Sequence, residues 1–349
     1  MRHVYLIRHG HPDFPIGSRI CLGQTDTPLG PLGHLQGVLL AHTFAQQPLT
    51  VYTSPLRRAC DTARHLTPAP IVRTGLSERA TGLWDGLSFA EIAQRWPEEY
   101  AQRGDDPART MPGGEALATA RARFAATLAE ILQSSAGDLA IVAHKGVIDA
   151  FLQTLSQRNR LPKLAYGAYW HLLAANATLS LGDDTPIQPQ PPLARALCLA
   201  LLEAVVPFSV CQHCEAVEGL ALAIAAQLPQ PLDVARLSQA ALLHDIARLY
   251  PDHAHLGAAW LDQLGYSAVA SIVRCHHDLD NIAINEASIV YIADKCLQGT
   301  ERVSIDARFA ASRKKCQTPE ALAAWEKRWH MTKTLQKHIN TISGKELIQ

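Results

Sequence analysis

A proline-rich break, Gly182-Asp183-Asp184-Thr185-Pro186-Ile187-Gln188-Pro189-Gln190-Pro191-Pro192, divides this chain into two halves with different hydrophobic rhythms. Proline fixes φ and removes a backbone donor, so the segment cannot be the interior of an element and reads as a short, stiff tether. Before it, short runs rich in Val and Ile, such as Val4-Tyr5-Leu6-Ile7 and Leu139-Ala140-Ile141-Val142-Ala143, alternate with Ala- and Leu-rich stretches such as 115–132. That alternation predicts an α/β unit with a central, mostly parallel sheet flanked by helices. After the break, strand signals nearly vanish. Apolar residues recur at spacings of three and four over 193–228, 232–250, 255–264 and 268–277, which predicts an all-α second domain. With 349 residues the chain exceeds what one core usually fills. The expected domains are 1–182, a linker over 183–192, and 193–349 with a helical tail.

Lys plus Arg and Asp plus Glu each number 32, so the formal net charge is zero. That balance argues against general affinity for nucleic acid or for an anionic membrane. No stretch approaches the roughly eighteen apolar residues of a membrane span, and the N-terminus shows no charged-then-apolar leader. A cytoplasmic enzyme with no membrane partner is expected; oligomerisation is left open. The eight cysteines read as reduced thiols. Cys211-Gln212-His213-Cys214 has no second pair spaced for a structural zinc, so packing on a buried helix face is the expectation.

The chemistry of the first half starts at Arg8-His9-Gly10. A strand ending there points an imidazole out of the C-terminal edge of a sheet, and Gly10 lets the backbone turn closely around a ligand. Neutral imidazole is a competent nucleophile near pH 7, and a guanidinium is the natural clamp for a phosphoryl group. Gly23-Gln24-Thr25-Asp26 opens a turn-rich segment whose polar side chains and amides could face an anion. Ser54-Pro55-Leu56-Arg57-Arg58-Ala59 reads as a loop entering a helix with a basic pair in its first turn. Glu78 follows the apolar run Ile71-Val72, and the strand through Val142-Ala143 ends in His144, repeating the geometry of His9.

In this order, with Trp84-Asp85-Gly86 and Pro112-Gly113-Gly114-Glu115, these motifs resemble the histidine phosphatase superfamily, the phosphoglycerate mutase-like fold. The Gly23 loop is similar to that of the α-ribazole phosphatases. The resemblance implies that His9 is the phosphorylated nucleophile, that Arg8, Arg58 and His144 hold the phosphoryl group, and that Glu78 is the general acid. Gly10, Gln24, Thr25 and Lys145 would contact substrate, and no cofactor is required. The chain departs from the pattern at His11, where Glu or Gln is usual, at Lys145 in place of Gly, and at Ala116 in place of Ser.

The helical half arrays His213, His244-Asp245, His253, His276-His277 and Asp294 along the chain. An Asp beside His in the apolar run Ala240-Ala241-Leu242-Leu243 is costly to bury unless neutralised, and a divalent cation is the economical partner. Imidazole with carboxylate suits Fe, Mn, Zn or a similar first-row ion. The order resembles the HD superfamily of metal-dependent phosphohydrolases. There the resemblance implies two ions, with His213, His244 and Asp294 on one, His253, His276 and His277 on the other, and Asp245 bridging. Arg248 stands where the cyclic-dinucleotide branch has Lys, and that branch's Gly-Tyr-Pro signature is absent after His277. The tail carries no readable motif.

The sequence therefore predicts a bifunctional phosphohydrolase. Its first half acts on a small phosphorylated metabolite through phosphohistidine, its second on a nucleotide-like phosphoester with metal. Two rivals are a phosphatase tuned by a non-catalytic metal- or nucleotide-sensing helical module, and a phosphoglycerate mutase-type phosphotransferase.

Overall fold

Val4, Tyr5, Leu6 and Ile7 are buried one after another because β1 (Arg2–Arg8) lies inside a six-stranded sheet covered on both faces. Side chains alternate across a strand. Val4 and Leu6 therefore pack with Phe124, Leu128, Val147 and Ile148 on one face, and Tyr5 and Ile7 with Leu40, Phe44, Ala59 and Ala63 on the other. The helices in these layers are α1 (Pro31–Phe44) and α2 (Arg57–Leu66) on one side, and α5 (Leu117–Ser134) and α6 (Lys145–Leu152) on the opposite side. Between them in sequence run β2 (Leu49–Thr53), β3 (Ile71–Val72), α3 (Phe89–Arg95), α4 (Pro97–Asp105) and β4 (Asp138–Ala143). The strands β5 (Tyr169–Ala175) and β6 (Thr178–Leu181) complete the sheet, whose order is β3-β2-β4-β1-β5-β6. The first four in that order are parallel; β5 and β6 are antiparallel additions.

The computed structural model describes residues 1–349 except 107, 159, 176, 177, 315 and the side chain of 105, and divides into two compact units, Met1–Pro191 and Pro192–Gln349. The proline-rich segment is not free throughout. Ile187 donates its N–H to the Tyr169 carbonyl at 2.8 Å and accepts from Tyr169 at 3.0 Å, laying that residue against the sheet.

The second unit contains α7 (Arg195–Glu203), α8 (Phe208–Ala225), α9 (Val234–Leu243), α10 (His253–Gln263), α11 (Ser267–Arg274), α12 (Glu286–Lys295), α13 (Ile305–Arg313) and α14 (Pro319–Ser343). Three boundaries differ from the sequence expectation. The 193–228 run is broken at Pro207, which caps α8 and cannot continue α7. The 232–250 run leaves regular helix after Leu243. There the His244 ring takes the Ala241 carbonyl, and the chain proceeds by three-residue turns such as Arg248 N–H to Asp245 O at 2.9 Å. The 268–277 run ends at Arg274, so His276 and His277 sit in bends beyond α11. The unit is also not purely helical: β7 (Leu297–Gln298) and β8 (Glu301–Arg302) form a small hairpin turning at Gly299, whose φ is +62°. Cys211 and Cys214 are buried in the α8 face beside Val217 and Ala221, and all eight cysteines are free thiols. Among the described residues, no helix is long and apolar enough to cross a membrane.

Candidate active site and candidate metal centre

Strand register assembles the first site. Arg8 pairs with Ala143 between β1 and β4, and Thr53 pairs with Val142 between β2 and β4. The residues after each strand, His9, His144 and Ser54, therefore emerge side by side at the C-terminal edge of the sheet, where open α/β sheets bind ligands. The His9 and His144 ring centroids are 5.0 Å apart, and Ser54 Oγ lies 2.7 Å from His144 Nε2.

His9 Nδ1 lies 2.7 Å from the Gly10 carbonyl. A carbonyl only accepts, so Nδ1 carries the proton and Nε2 keeps its lone pair. Burial, then the Arg58 and Arg8 guanidiniums, push the His9 pKa well below its usual value and keep the ring neutral. His144 is held down in the same way, by burial first and then by His9 and the same two arginines. Gly10 is required here on steric grounds, because a Cβ would meet the Gly33 carbonyl oxygen at 2.6 Å.

The arginines are fixed by backbone carbonyls. Arg58 donates from Nη1 to Thr25 O at 2.7 Å and from Nη2 to Gly23 O at 2.9 Å; Arg8 donates from Nη1 to Leu164 O at 2.9 Å. The Arg8 guanidinium stacks 3.5 Å from the Tyr166 ring centroid. Three buried nitrogens around His9 have no hydrogen-bond partner among the described residues: Arg8 Nε, Arg58 Nε and His144 Nδ1. Buried polar groups are normally paired, so this cluster is shaped for an anion.

Glu78 enters from the far side. Its carboxylate accepts from the amides of Arg79 at 2.8 Å, Gly146 at 2.9 Å and Val147 at 3.1 Å, the last two at the N-terminus of α6. Burial raises its pKa against those hydrogen bonds and the pull of Arg58 and Arg8. Gly146 is needed for this approach, since a Cβ would stand 2.5 Å from Glu78 Oε1. Behind it, Arg123 donates to the Gly75 and Ser77 carbonyls and pairs with Glu115 at 2.9 Å, bracing the segment that carries Glu78.

Two expectations change. The backbone amides of Gly23, Gln24 and Thr25 do face a carboxylate, but it is Asp85 of this chain, at 2.7, 2.7 and 2.9 Å. The Gln24 amide donates to the Glu78 carbonyl at 2.7 Å. Lys145 is not a free cation either: it pairs with Asp149 one turn along α6. His11, whose role was left open, is buried, donates from Nδ1 to the Pro12 carbonyl at 2.7 Å and lies 5.0 Å from the Tyr166 ring. Sequence reasoning missed Tyr166, which sits in a loop with no motif, and gave Ser54 no role of its own.

In the second unit the expected histidines and aspartates converge in two groups, His213, His244 and Asp294 in one and His253, His276 and His277 in the other. Asp245 lies between them. Its Oδ2 is 3.6 Å from His244 Nε2, and its Oδ1 is 3.1 Å from His253 Nε2 and 3.6 Å from His276 Nε2. The Nδ1 atoms of His213, His244 and His276 donate to the carbonyls of Gly299, Ala241 and Val273 at 2.7, 2.8 and 2.6 Å. That turns the Nε2 lone pairs of His244 and His276 inward, while His213 Nε2 faces Asp294 Oδ1 at 3.2 Å, and against burial that carboxylate and the Gly299 carbonyl raise the His213 pKa. The buried Nε2 atoms of His244 and His276 have no hydrogen-bond partner among the described residues, while His253 and His277 bring their Nε2 atoms within 2.8 Å of each other. Inward lone pairs without donors fit a cation. Burial, then His276 and Lys295, lowers the His277 pKa to about 2, and burial lowers that of His244 to about 4, leaving both neutral as ligands require. Two cations of the chain border the site: Arg248 Nη1 is 3.1 Å from His253 Nε2, and Lys295 Nζ, unforeseen in the sequence, is 2.6 Å from Asp294 Oδ2.

Residues 4–181 match the model of the histidine phosphatase superfamily (branch 1), and residues 210–298 match that of the HD domain. The glucosyl-3-phosphoglycerate phosphatase of Mycobacterium tuberculosis is 34% identical over 168 residues, covering 44% of this chain and 75% of the relative. The metal-independent phosphoserine phosphatase of Arabidopsis thaliana is 30% identical over 171 residues, covering 46% and 71%. A mycobacterial glucosyl-3-phosphoglycerate phosphatase structure with VO3 aligns at 30% identity and a TM-score of 0.48, over 53% of this chain and 98% of that one.

Proposed function

The chain belongs to the histidine phosphatase superfamily (branch 1) and is a phosphoric ester hydrolase; from that premise we propose that it cleaves phosphoesters at two chemically independent sites. The first unit hydrolyses a small phosphorylated metabolite. His9 Nε2 attacks phosphorus as the bond to the leaving oxygen breaks, and Glu78 delivers the proton to that oxygen. Water then attacks the phosphorus–nitrogen bond, giving its proton back to Glu78, and inorganic phosphate leaves with His9 neutral again. Arg8, Arg58 and His144 meet the phosphoryl oxygens throughout. The neutral His9 ring carries this reading: its Nε2 lone pair is free, it is flanked by the Arg58 and Arg8 guanidiniums, and its centroid lies 5.0 Å from that of His144. Gly10 brings the backbone close, and the Gly23 and Thr25 carbonyls hold Arg58 in place. Phosphoserine and glucosyl-3-phosphoglycerate, named for the relatives, are both small anionic phosphomonoesters, the class to assay first.

In the second unit, Fe, Mn, Zn or a similar divalent ion would suit the donor set: His213, His244 and Asp294 would hold one ion and His253, His276 and His277 a second, with Asp245 between the two groups. Bound there, such ions supply Lewis acidity and a more acidic water. The chain's own part is to fix imidazole tautomers through backbone carbonyls, to hold the second oxygen of Asp294 with Lys295, and to place Arg248 where an oxygen of a nucleotide-like phosphoester is met.

The decisive experiment incubates the protein with p-nitrophenyl phosphate and excess chelator, quenches in base, and maps the phosphate label. An acid-labile, base-stable phosphate on the peptide bearing His9 is expected. Turnover without that label, or label on another peptide, would overturn the first-site mechanism.

A further inference from the structure

The tail beyond residue 298 matches no part of the HD domain model, yet one turn of α14 reaches both ligand-bearing segments of the metal centre. We propose that Arg328 and Thr332 are positioning residues for that centre, and that α14 is what holds the His276-His277 loop in register with Asp245.

The need for such a brace follows from the local backbone. His276 and His277 lie past the end of α11, and no further helix begins until Glu286. The Nδ1 bond of His276 to the Val273 carbonyl ties that ring to the last turn of α11. Asp278 comes next, and Arg328 grips it from 50 residues away in sequence with two parallel bonds, Nε to Oδ1 at 2.8 Å and Nη2 to Oδ2 at 2.6 Å. A bidentate guanidinium–carboxylate pair fixes orientation as well as distance. The same turn of α14 touches α12. The fully buried Tyr291 places its hydroxyl 2.7 Å from Thr332 Oγ1, and Thr332 in turn donates to the Arg328 carbonyl at 2.6 Å. The Tyr291 ring lies 5.0 Å from the Lys295 ammonium, which holds Asp294 Oδ2 and reaches the His276 carbonyl at 3.4 Å. Arg328 thus steadies the residue after His277, and Thr332 steadies the helix that presents Asp294.

The Arg328 and Asp278 side chains are 41% and 52% exposed. An ion pair that open to solvent adds little to global stability, so its effect belongs to the geometry of the ligands beside it. Outer-shell partners of metal ligands typically change affinity by about 10–100-fold.

The inference rests on the metal reading of these histidines, and its test separates the two. Mn2+ is titrated calorimetrically into the chelator-stripped full chain, with bound metal counted by elemental analysis and the melting point of the metal-free protein measured alongside. Wild type is expected to bind two ions. Arg328→Ala is expected to weaken one of them by about 10–100-fold while the other and the metal-free melting point stay put. Arg328→Lys keeps the charge and the fold but loses the fork, and is expected to fall between. Wild type that binds no Mn2+ would overturn the metal reading and the inference with it. Wild type that binds two ions, with Arg328→Ala binding both as tightly, would overturn the inference alone. So would equal weakening of both ions together with a lowered melting point, the mark of a merely structural helix.

Discussion

The two sites gather histidines for opposite electrostatic reasons. At the sheet edge, His9 and His144 sit beside guanidiniums that the chain itself supplies, Arg8 and Arg58, and both rings are kept neutral partly by that positive charge. In the helical unit, five histidines and two aspartates converge, and burial keeps the His244 and His277 rings neutral close to the two carboxylates. The first site is built around the guanidiniums of Arg8 and Arg58; the second is built around the carboxylates of Asp245 and Asp294, with Arg248 and Lys295 at its border. On the function proposed above, a phosphoryl group would complete the first and divalent ions the second.

The contrast breaks most sharply in a crossed experiment. His9→Ala is expected to remove chelator-resistant phosphate release by about 10,000-fold or more, as loss of a nucleophile does, and to leave Mn2+-dependent cleavage of bis(p-nitrophenyl) phosphate intact. Asp245→Ala should do the reverse, because its two oxygens face the two ligand groups. If either variant lowers both activities equally, the sites are not independent.

A smaller effect tests the acid. Glu78→Gln is expected to lower kcat of the first site by about 100- to 10,000-fold. The pH profile carries the sharper signature. The Glu78 pKa is raised, so the proton donor persists above the usual carboxylate range and activity falls as pH climbs through that raised value. The His9 pKa is lowered, so the nucleophile survives well into the acid side. Wild type should therefore show an acid-leaning optimum, and Glu78→Gln should lose its alkaline limb. An alkaline limb that persists in the variant would assign it to another group.

The smallest expected change is at Lys145. Its ammonium is already paired with Asp149, so Lys145→Met should move KM by no more than about threefold, in line with an exposed i,i+4 pair. A tenfold rise in KM would show that substrate recruits the lysine away from its partner.

Much of this was legible along the chain. The α/β-to-helical change at the proline-rich segment and the strands that lead into His9 and His144 follow from short-range patterns: hydrophobic period, a break in it, and a residue type at a strand end; the grouping of His213 to Asp294 came from the order of residues that resembles the HD superfamily. Two of the departures arose where a side chain competed for a backbone group. The His244 ring takes the Ala241 carbonyl and the run beyond Leu243 leaves regular helix. Asp85 takes three amides that read as open to an anion.

By itself, then, the sequence determined the hydrophobic rhythm of each half and which residue types stand where its elements end, because period and turn propensity are local properties of the chain. Only the tertiary structure decided that β1 and β4 are neighbours in register, that Tyr166 lies over Arg8, that Asp245 turns one oxygen toward each histidine group, and that Arg328 holds Asp278. The strand pairing, the Tyr166–Arg8 stack and the Arg328–Asp278 pair join residues 50 or more positions apart. Close packing sets them, and no local spacing encodes which distant side chain will fill a given gap.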